Sequence, residues 1–423
     1  MKIGIIGAGF TGLSAGIQLL KKGHSVTIFE KDKNPGGLAL GYKENKWQWS
    51  LEEHYHHWFT NDSYIVALAK EIKHEVIIQE PKTSVYVDNT SYQLDSPIRV
   101  LSFPKLSFFE RVQMGIALGI FRFNPFWKPL EQFRASDVLS KLMGEVPYKL
   151  LWEPLLKNKF GNYADDVSLA WFWARIYKRT KKLAYPKGGF LEFANKLVEY
   201  INNLGGTVIY NSPVENIKSN NDSVSIKTNN KSQSFDKIIV TLPSQLFTKT
   251  ASIPFEYKQS LEQLKSLGAV NLVLRLKEEF LKDGTYWLSM CDANIPFLAI
   301  IEHTHFMDKK SYNNEYIVYI GKYLPSSDPF FSKSKEEIFN IYDPFLAKIT
   351  KNYKKSIIDY RVFKAPFAQP IIPIHYSKVM PSFKTPLQGV YLANIQQVYP
   401  WDRGTNYAVG LGQKIATFIE NDR

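Results

Sequence analysis

The chain places Gly7-Ala-Gly9-Phe10-Thr11-Gly12 directly after the apolar run from Lys2 to Ile6. Glycines at this spacing have distinct uses: Gly7 permits a tight turn, Gly9 lets backbone approach a pyrophosphate, and Gly12 lets a helix pack closely on a strand. The helix expected over 13–20 would present free N–H groups to phosphate oxygens. Gly23-His24 ends it, and a second apolar strand from Ser25 to Phe29 delivers Glu30, whose carboxylate suits ribose hydroxyls. Strand, glycine turn, helix, strand and acid together predict a βαβ dinucleotide-binding unit. After Glu30 and Lys31 comes Gly36-Gly37-Leu38, where a glycine pair lets a second backbone segment close over the same pyrophosphate.

A second group of reactive side chains lies between Trp47 and Asp62, where His54, His56 and His57 accompany Glu52 and Glu53. Thiolates are absent from this segment and no further His/Asp cluster adjoins it, so no metal is expected. His54 and His57 are instead candidates for an active site, the alternative being satisfied, partly buried imidazoles. Glu302-His303 ends an expected strand and is either a substrate contact or an ordinary polar turn. Asp402-Arg403 is either a structural ion pair or an anion contact. Beyond it, Gly404-Thr405-Asn406 reads as a turn with capping side chains. Tyr407-Ala408 then opens a last helix over 407–419, in which Gly410 and Gly412 permit close approach to the nucleotide unit.

The elements that must position these groups follow from the hydrophobic pattern. Helix is expected over 64–72, and alternation over 76–94 predicts strands with a turn at Asp88-Asn89. The run 106–121 is apolar except for Glu110, Arg111 and Gln113, and is either a core helix or a membrane-facing one lining a hydrophobic entrance. Helices at 135–143 and 147–156 follow. Gly188-Gly189 feeds an amphipathic helix ending near Ile201, and strands are expected at 205–210, 214–217, 224–228 and 236–243. Longer strands at 269–276, 286–290, 297–302, 315–323 and 357–363 predict an antiparallel sheet, and one last strand lies at 389–394. The fold class is therefore α/β. A Rossmann-like nucleotide domain (1–75, 181–243, 371–423) is interleaved with an antiparallel-sheet substrate domain (76–96, 244–370) and a helical insertion (97–180).

With 423 residues, 44% of them hydrophobic, the chain can bury two or three sizeable cores. The single cysteine, Cys291, excludes an intramolecular disulfide and fits a reducing compartment. A strand beginning at Lys2 leaves no room for a signal peptide, and no apolar run reaches the roughly 20 residues of a membrane span. A cytoplasmic protein is expected, with peripheral membrane contact left open by 106–121. The net charge of +13 permits an anionic small molecule or lipid as partner. Nucleic acid is not expected, because no motif supports it.

Several landmarks recur in a fixed order: Gly7 to Gly12, Glu30 with Gly36-Gly37, Trp152-Glu-Pro-Leu-Leu-Lys-Asn-Lys-Phe-Gly161, Tyr185-Pro-Lys-Gly-Gly189, Val214, Thr241-Leu-Pro243 and Gly404-Thr-Asn-Tyr-Ala-Val409. Over nearly the whole chain this order resembles the FAD-dependent amine oxidase and protoporphyrinogen oxidase-like flavoproteins. The resemblance implies FAD held by Gly7, Gly9, Phe10, Thr11, Gly12, Glu30, Lys31, Gly36, Gly37, Leu38, Val214, Asn394, Asn406, Tyr407 and Ala408. It also implies a flavin between the two domains, with His54, His57, Glu302 and His303 beside it. Two departures stand out: the last strand ends at Asn394 without the family's carboxylate, and Leu38 stands where an arginine is common.

The function implied is a flavin oxidoreductase that moves a hydride from a substrate C–H bond to flavin N5, for which no single catalytic base is obligatory. Two alternatives remain. One is a sugar-nucleotide mutase similar to UDP-galactopyranose mutase, suggested by the His-rich segment and the basic surface, although recognisable mutase arginines are lacking. The other is a flavin-free binding protein like the prenyl-protein chaperones, against which the intact Gly7–Gly12 turn and Glu30 argue.

Overall fold

The computed structural model describes residues 1–220 and 223–422. Its N-terminal unit is the centre of a five-stranded parallel sheet in the order Thr207–Ile209, Ser25–Phe29, Lys2–Ile6, Lys237–Val240, Val390–Leu392. These strands are short apolar runs without polar alternation because both faces of the sheet are covered; Ile3, Ile5, Ile28, Ile238 and Ile239 are all fully buried. Helix Phe10–Lys21 begins three residues earlier than expected, so Phe10, Thr11 and Gly12 supply its first turn. It is seated so closely that a Cβ on Gly12 would lie 2.0 Å from the Gly7 carbonyl oxygen. The last helix, Thr405–Asn421, is pinned to it: a Cβ on Gly412 would lie 2.4 Å from the Thr11 carbonyl oxygen, and Ser14 Oγ donates to the Val409 carbonyl at 2.9 Å.

The second large sheet has seven strands in the order Ile357–Pro370, Ser266–Leu276, Tyr316–Leu324, Ala299–Glu302, Thr285–Met290, Lys82–Val87, Thr90–Gln93. Its pairings are antiparallel except that Thr285–Met290 runs parallel to Lys82–Val87. The hairpin after Lys82–Val87 turns on Asp88 and Asn89, both with positive φ (48° and 58°), as a tight two-residue turn requires. Val76–Gln79 does not join this sheet. Pro81 interrupts the run, and Val76–Gln79 pairs with Leu183–Pro186, which also pairs with Trp58–Phe59 at the end of the His-rich segment.

Three helices occupy stretches where strands alone were expected: Ser244–Thr250, Phe255–Glu262 and Lys335–Ile349. The last contains Pro344, which masks its helical pattern, yet its start carries a capping box of Ser334 and Glu337 that is visible in the sequence.

Between the sheets, the insertion is helical as expected. Its long helix Phe108–Phe123, opened by a Ser107/Glu110 capping box, buries only Met114, Ala117 and Phe121. Phe109, Ile116, Ile120 and Phe123 recur on one face and are 82%, 61%, 51% and 82% exposed. It is therefore not a core helix. Among the described residues no helix is long and apolar enough to cross a membrane.

Candidate functional site

The glycine-rich turn forms a cradle of backbone donors. Helix Phe10–Lys21 starts at Gly9 with no side-chain cap and no acid in its first turn, so no side chain competes for the amides of Phe10, Thr11 and Gly12. Gly36 N donates to the Ala8 carbonyl at 3.0 Å, and Gly9 and Gly36 form an isolated parallel bridge. Gly37, at φ 60°, approaches so closely that a Cβ there would sit 3.1 Å from Gly9 Cα. Leu38 lies in the short turn Gly37–Ala39.

Glu30 is buried beside this cradle, and its carboxylate accepts from Ala8 N at 2.7 Å and Asp32 N at 3.0 Å. Burial raises its pKa, while those two backbone donors oppose the rise. The donors hold the carboxylate in place and leave lone pairs for a ribose hydroxyl. Lys31 is exposed and pairs with Asp32 at 2.5 Å. Ser212 N donates to the Glu30 carbonyl at 2.8 Å, which brings the strand beginning at Val214 alongside. This set of amides, glycines and acid fits a dinucleotide.

At the other end of the chain, the side chains expected to cap the last helix are committed elsewhere. Asn406 Oδ1 accepts from Tyr64 N (2.9 Å) and Ile65 N (3.1 Å), so it caps the neighbouring helix Ser63–Glu71. Thr405 Oγ1 accepts from Trp58 Nε1 at 2.9 Å, which ties the His-rich segment to the start of the last helix. That helix begins without a side-chain cap; Ala408 N bonds back to the Gly404 carbonyl at 3.0 Å, and Tyr407 stacks on Trp401.

Asn394 is likewise occupied. Its side chain donates to the Leu242 carbonyl and Ser244 Oγ, both at 3.0 Å, and accepts from Gln396 N, while its own amide donates to Gln397 Oε1 at 2.7 Å. The expectation of a cofactor contact at this position is thereby revised: the amide side chain closes a turn, which explains why no carboxylate stands there.

A cavity of about 320 Å³ opens between the His-rich segment and the start of the last helix, lined among others by Tyr55, His56, His57, Tyr286, Trp287 and the Gly404–Tyr407 turn. His57 Nδ1 lies 3.1 Å from the Tyr286 hydroxyl, and His56 Nδ1 donates to the His54 carbonyl at 2.6 Å. His54 sits behind this wall, its Nδ1 accepting from Asn271 Nδ2 at 2.8 Å. Burial pushes His54 and His57 down to about 3 and His56 to about 4, reinforced by neighbouring positive charge, so all three are neutral at pH 7.

Glu302 and His303 correct the sequence reading, because neither lines the cavity. Ala299–Glu302 is an interior strand; the fully buried Glu302 accepts from Phe280 N (3.0 Å) and Leu281 N (2.5 Å), and burial raises its pKa. His303, also buried, bonds the Tyr312 hydroxyl at 2.8 Å. The helix Phe108–Phe123 contributes no residue to the cavity lining either, so the expected entrance does not lie along it.

Sequence reasoning singled out Asp402-Arg403 as an ion pair or an anion contact but missed the other cations of the wall they belong to. Lys159, Arg175, Arg179 and Arg403 line the cavity with Asp402, which accepts from Trp171 Nε1 at 3.0 Å and from Arg175. Burial alone would raise the Asp402 carboxyl, but Lys159, Arg175 and Arg403 outweigh it and hold it well below the usual range. The available signal was the i,i+4 spacing of Trp171 and Arg175 on helix Leu169–Tyr177, with Arg179 just beyond its end. Glu52, named with the histidines, was given no role by the sequence. It is buried behind the His-rich segment, accepting from the Tyr185 hydroxyl (2.8 Å) and Phe190 N (2.9 Å), and burial raises it to about 7.

The sequence profile of the flavin-containing amine oxidoreductases matches residues 10–395. The chain belongs to that family. This flavin-dependent oxidoreductase is 26% identical to coproporphyrinogen III oxidase of Staphylococcus aureus over 333 residues, covering 67% of this chain and 70% of that one. Its fold is similar to that of a protein from Exiguobacterium provisionally named protoporphyrinogen oxidase, with a TM-score of 0.79, 15% identity, and 100% and 99% of the two chains covered. It is also similar to reduced UDP-galactopyranose mutase, with a TM-score of 0.77, 13% identity, and 100% and 94% covered.

The buried titratable groups of the flavoenzyme predict opposite pH dependences. The histidines fall from an unfolded value of 6.5 to between about 3 and about 4, so the stability they contribute is complete above 6.5 and is lost as pH drops toward 4. Glu52 rises from 4.5 to about 7, so its contribution is complete below 4.5 and is lost as pH rises through 7. Thermal melts across this range should show His56→Gln flattening the loss of stability toward acid pH and Glu52→Gln flattening the loss of stability as pH rises from 4.5 to 7. Unchanged limbs in both variants would contradict the buried, neutral assignments.

Proposed function

We propose that the flavin is FAD and that the enzyme removes a hydride from a substrate C–H bond. The observation that carries this reading is the cavity bounded by the His-rich segment and by the uncapped start of the last helix, in a fold whose first helix forms a dinucleotide cradle. The amides of Phe10, Thr11 and Gly12 would hold the pyrophosphate, closed over by Gly9, Gly36 and Gly37 with Leu38 following. Glu30 would hold the adenosine ribose beside Lys31, and Val214 the adenine. Bound FAD supplies the hydride acceptor at N5. The free amides at the start of helix Thr405–Asn421, at Asn406 and Tyr407 ahead of Ala408, would offer positive potential to the negative charge that develops on reduction.

His57, neutral and bonded to the Tyr286 hydroxyl, orients substrate at the cavity wall, and His54 braces it from behind through Asn271. Both imidazoles are neutral at pH 7, each with a single ring proton, so neither acts as an imidazolium acid in this reading. The S. aureus relative makes porphyrinogens the first substrates to try, and the mutase likeness makes sugar nucleotides the second. Anaerobic bleaching of the flavin by one class and not the other separates them. Purified protein should carry FAD without a covalent bond, and Glu30→Ala should weaken its binding by about 1.5–3 kcal/mol. Protein that remains colourless after incubation with FAD would overturn the reading.

We further propose that the apolar face of helix Phe108–Phe123 rests on an anionic bilayer. Its support is the exposure of Phe109, Ile116, Ile120 and Phe123, together with exposed Arg99, Lys105, Lys128 and Arg134 on the flanking segments. Flotation with vesicles containing phosphatidylglycerol should carry the wild type and lose Phe109→Glu/Ile116→Glu. A wild type left at the bottom of the gradient would contradict the assignment.

A further inference from the structure

We infer that the cavity takes an anionic substrate, a carboxylate or phosphate on an apolar body, in place of the amine that the family name implies. The inference rests on reading this cavity as the substrate site. Six basic residues line it, Lys159, Arg175, Lys178, Arg179, Lys181 and Arg403, against four acids, Asp62, Glu80, Asp95 and Asp402. Two of those acids, Glu80 and Asp62, are occupied away from the central cations, whereas Asp95 adds a negative field at Arg179. Glu80 pairs with Lys181 at 2.6 Å, Asp62 accepts from Phe59 N at 2.9 Å, and Asp95 accepts from Gln93 Nε2 at 2.8 Å.

Asp402 is thus the one carboxylate shared by Arg175, by Lys159 at 3.8 Å, and by the field of Arg403. Among the described residues Arg403 has only neutral hydrogen-bond partners, Gln369 Oε1 at 2.9 Å and the Tyr323 hydroxyl. The Lys159 amine lies over the Trp171 and Tyr323 rings at 5.1 and 5.6 Å, and burial, with the Arg175 and Arg403 charges, pulls it well below the usual lysine range, so the firm positive charge of the wall is that of the arginines. The guanidinium of Arg179 has no hydrogen bond or ion pair among the described residues, and the chain beneath it is held by Arg122, which donates to the Arg179 carbonyl at 2.9 Å.

Excess positive charge facing a cavity with aromatic walls favours an anion and repels an ammonium group. Trp171, Tyr286 and Trp287 supply flat apolar surface for the rest of such a molecule.

The test is calorimetry on FAD-loaded protein with inorganic pyrophosphate, citrate and cyclohexylamine, with flavin content read separately from absorbance. At least one of the two anions should bind, more weakly as salt is raised. Arg179→Gln, at an exposed position distant in sequence from the cradle, should weaken that binding by about tenfold or more while flavin content stays at the wild-type level. Tighter binding of pyrophosphate assigns a phosphorylated substrate, and tighter binding of citrate a carboxylated one. Failure of both anions, preferential binding of cyclohexylamine, or anion binding unaltered by Arg179→Gln would overturn the inference. Absence of FAD from the preparation would count against the proposed cofactor alone, because anion binding and its dependence on Arg179 are measured without reference to flavin chemistry.

Discussion

The structure depends on backbone approaching backbone at the first helix, with no side chain between. Gly12 packs against the Gly7 carbonyl and Gly412 against the Thr11 carbonyl, at separations where a single Cβ would collide with backbone that cannot swing aside. These contacts fix the first helix on the central strands and fix the last helix on the first. The two ends of the chain, some four hundred residues apart, therefore form one rigid body. A cavity wall built from the start of the last helix inherits its position from that seat.

Around this seat, helix ends are satisfied in an unusual distribution. The first and last helices begin without side-chain caps, while the residues that would have capped the last one serve their neighbours: Asn406 caps Ser63–Glu71, and Thr405 receives Trp58. Both uncapped starts thus keep their amides for an anion or a developing negative charge. Buried polar groups nearby are paired in the same economical way. Glu52 receives Tyr185 and Phe190, and His57 meets Tyr286, so the wall is held in one arrangement while its imidazoles stay neutral.

The sequence disclosed what was local. The βαβ unit, the Asp88-Asn89 turn and the Gly188-Gly189 entry to its helix each depend on residues within a short window, and each is found where the pattern places it. Partners distant in sequence were hidden. Glu302 is explained by the amides of Phe280 and Leu281 some twenty residues earlier, and Asn394 by Leu242 and Ser244 about a hundred and fifty residues earlier. The rest of the cationic wall escaped for the same reason, since Lys159, Arg175 and Arg403 converge only after the insertion folds against the turn before the last helix. Local pattern conveys which segment is a strand or a cap, whereas the use of a charged side chain depends on what the tertiary fold sets opposite it.

The group proposed to stabilise the reduced flavin is the uncapped start of helix Thr405–Asn421. The most direct measurement of that role is the flavin midpoint potential of the wild type and of Ala408→Glu, each FAD-loaded and folded by thermal melt. An anion placed in the first turn opposes the positive end of the helix, so the account predicts a lower potential and slower reduction in the variant with adenine-side binding retained. An unchanged potential in a folded, FAD-loaded Ala408→Glu protein would contradict it and would mean that this helix is aimed away from the flavin.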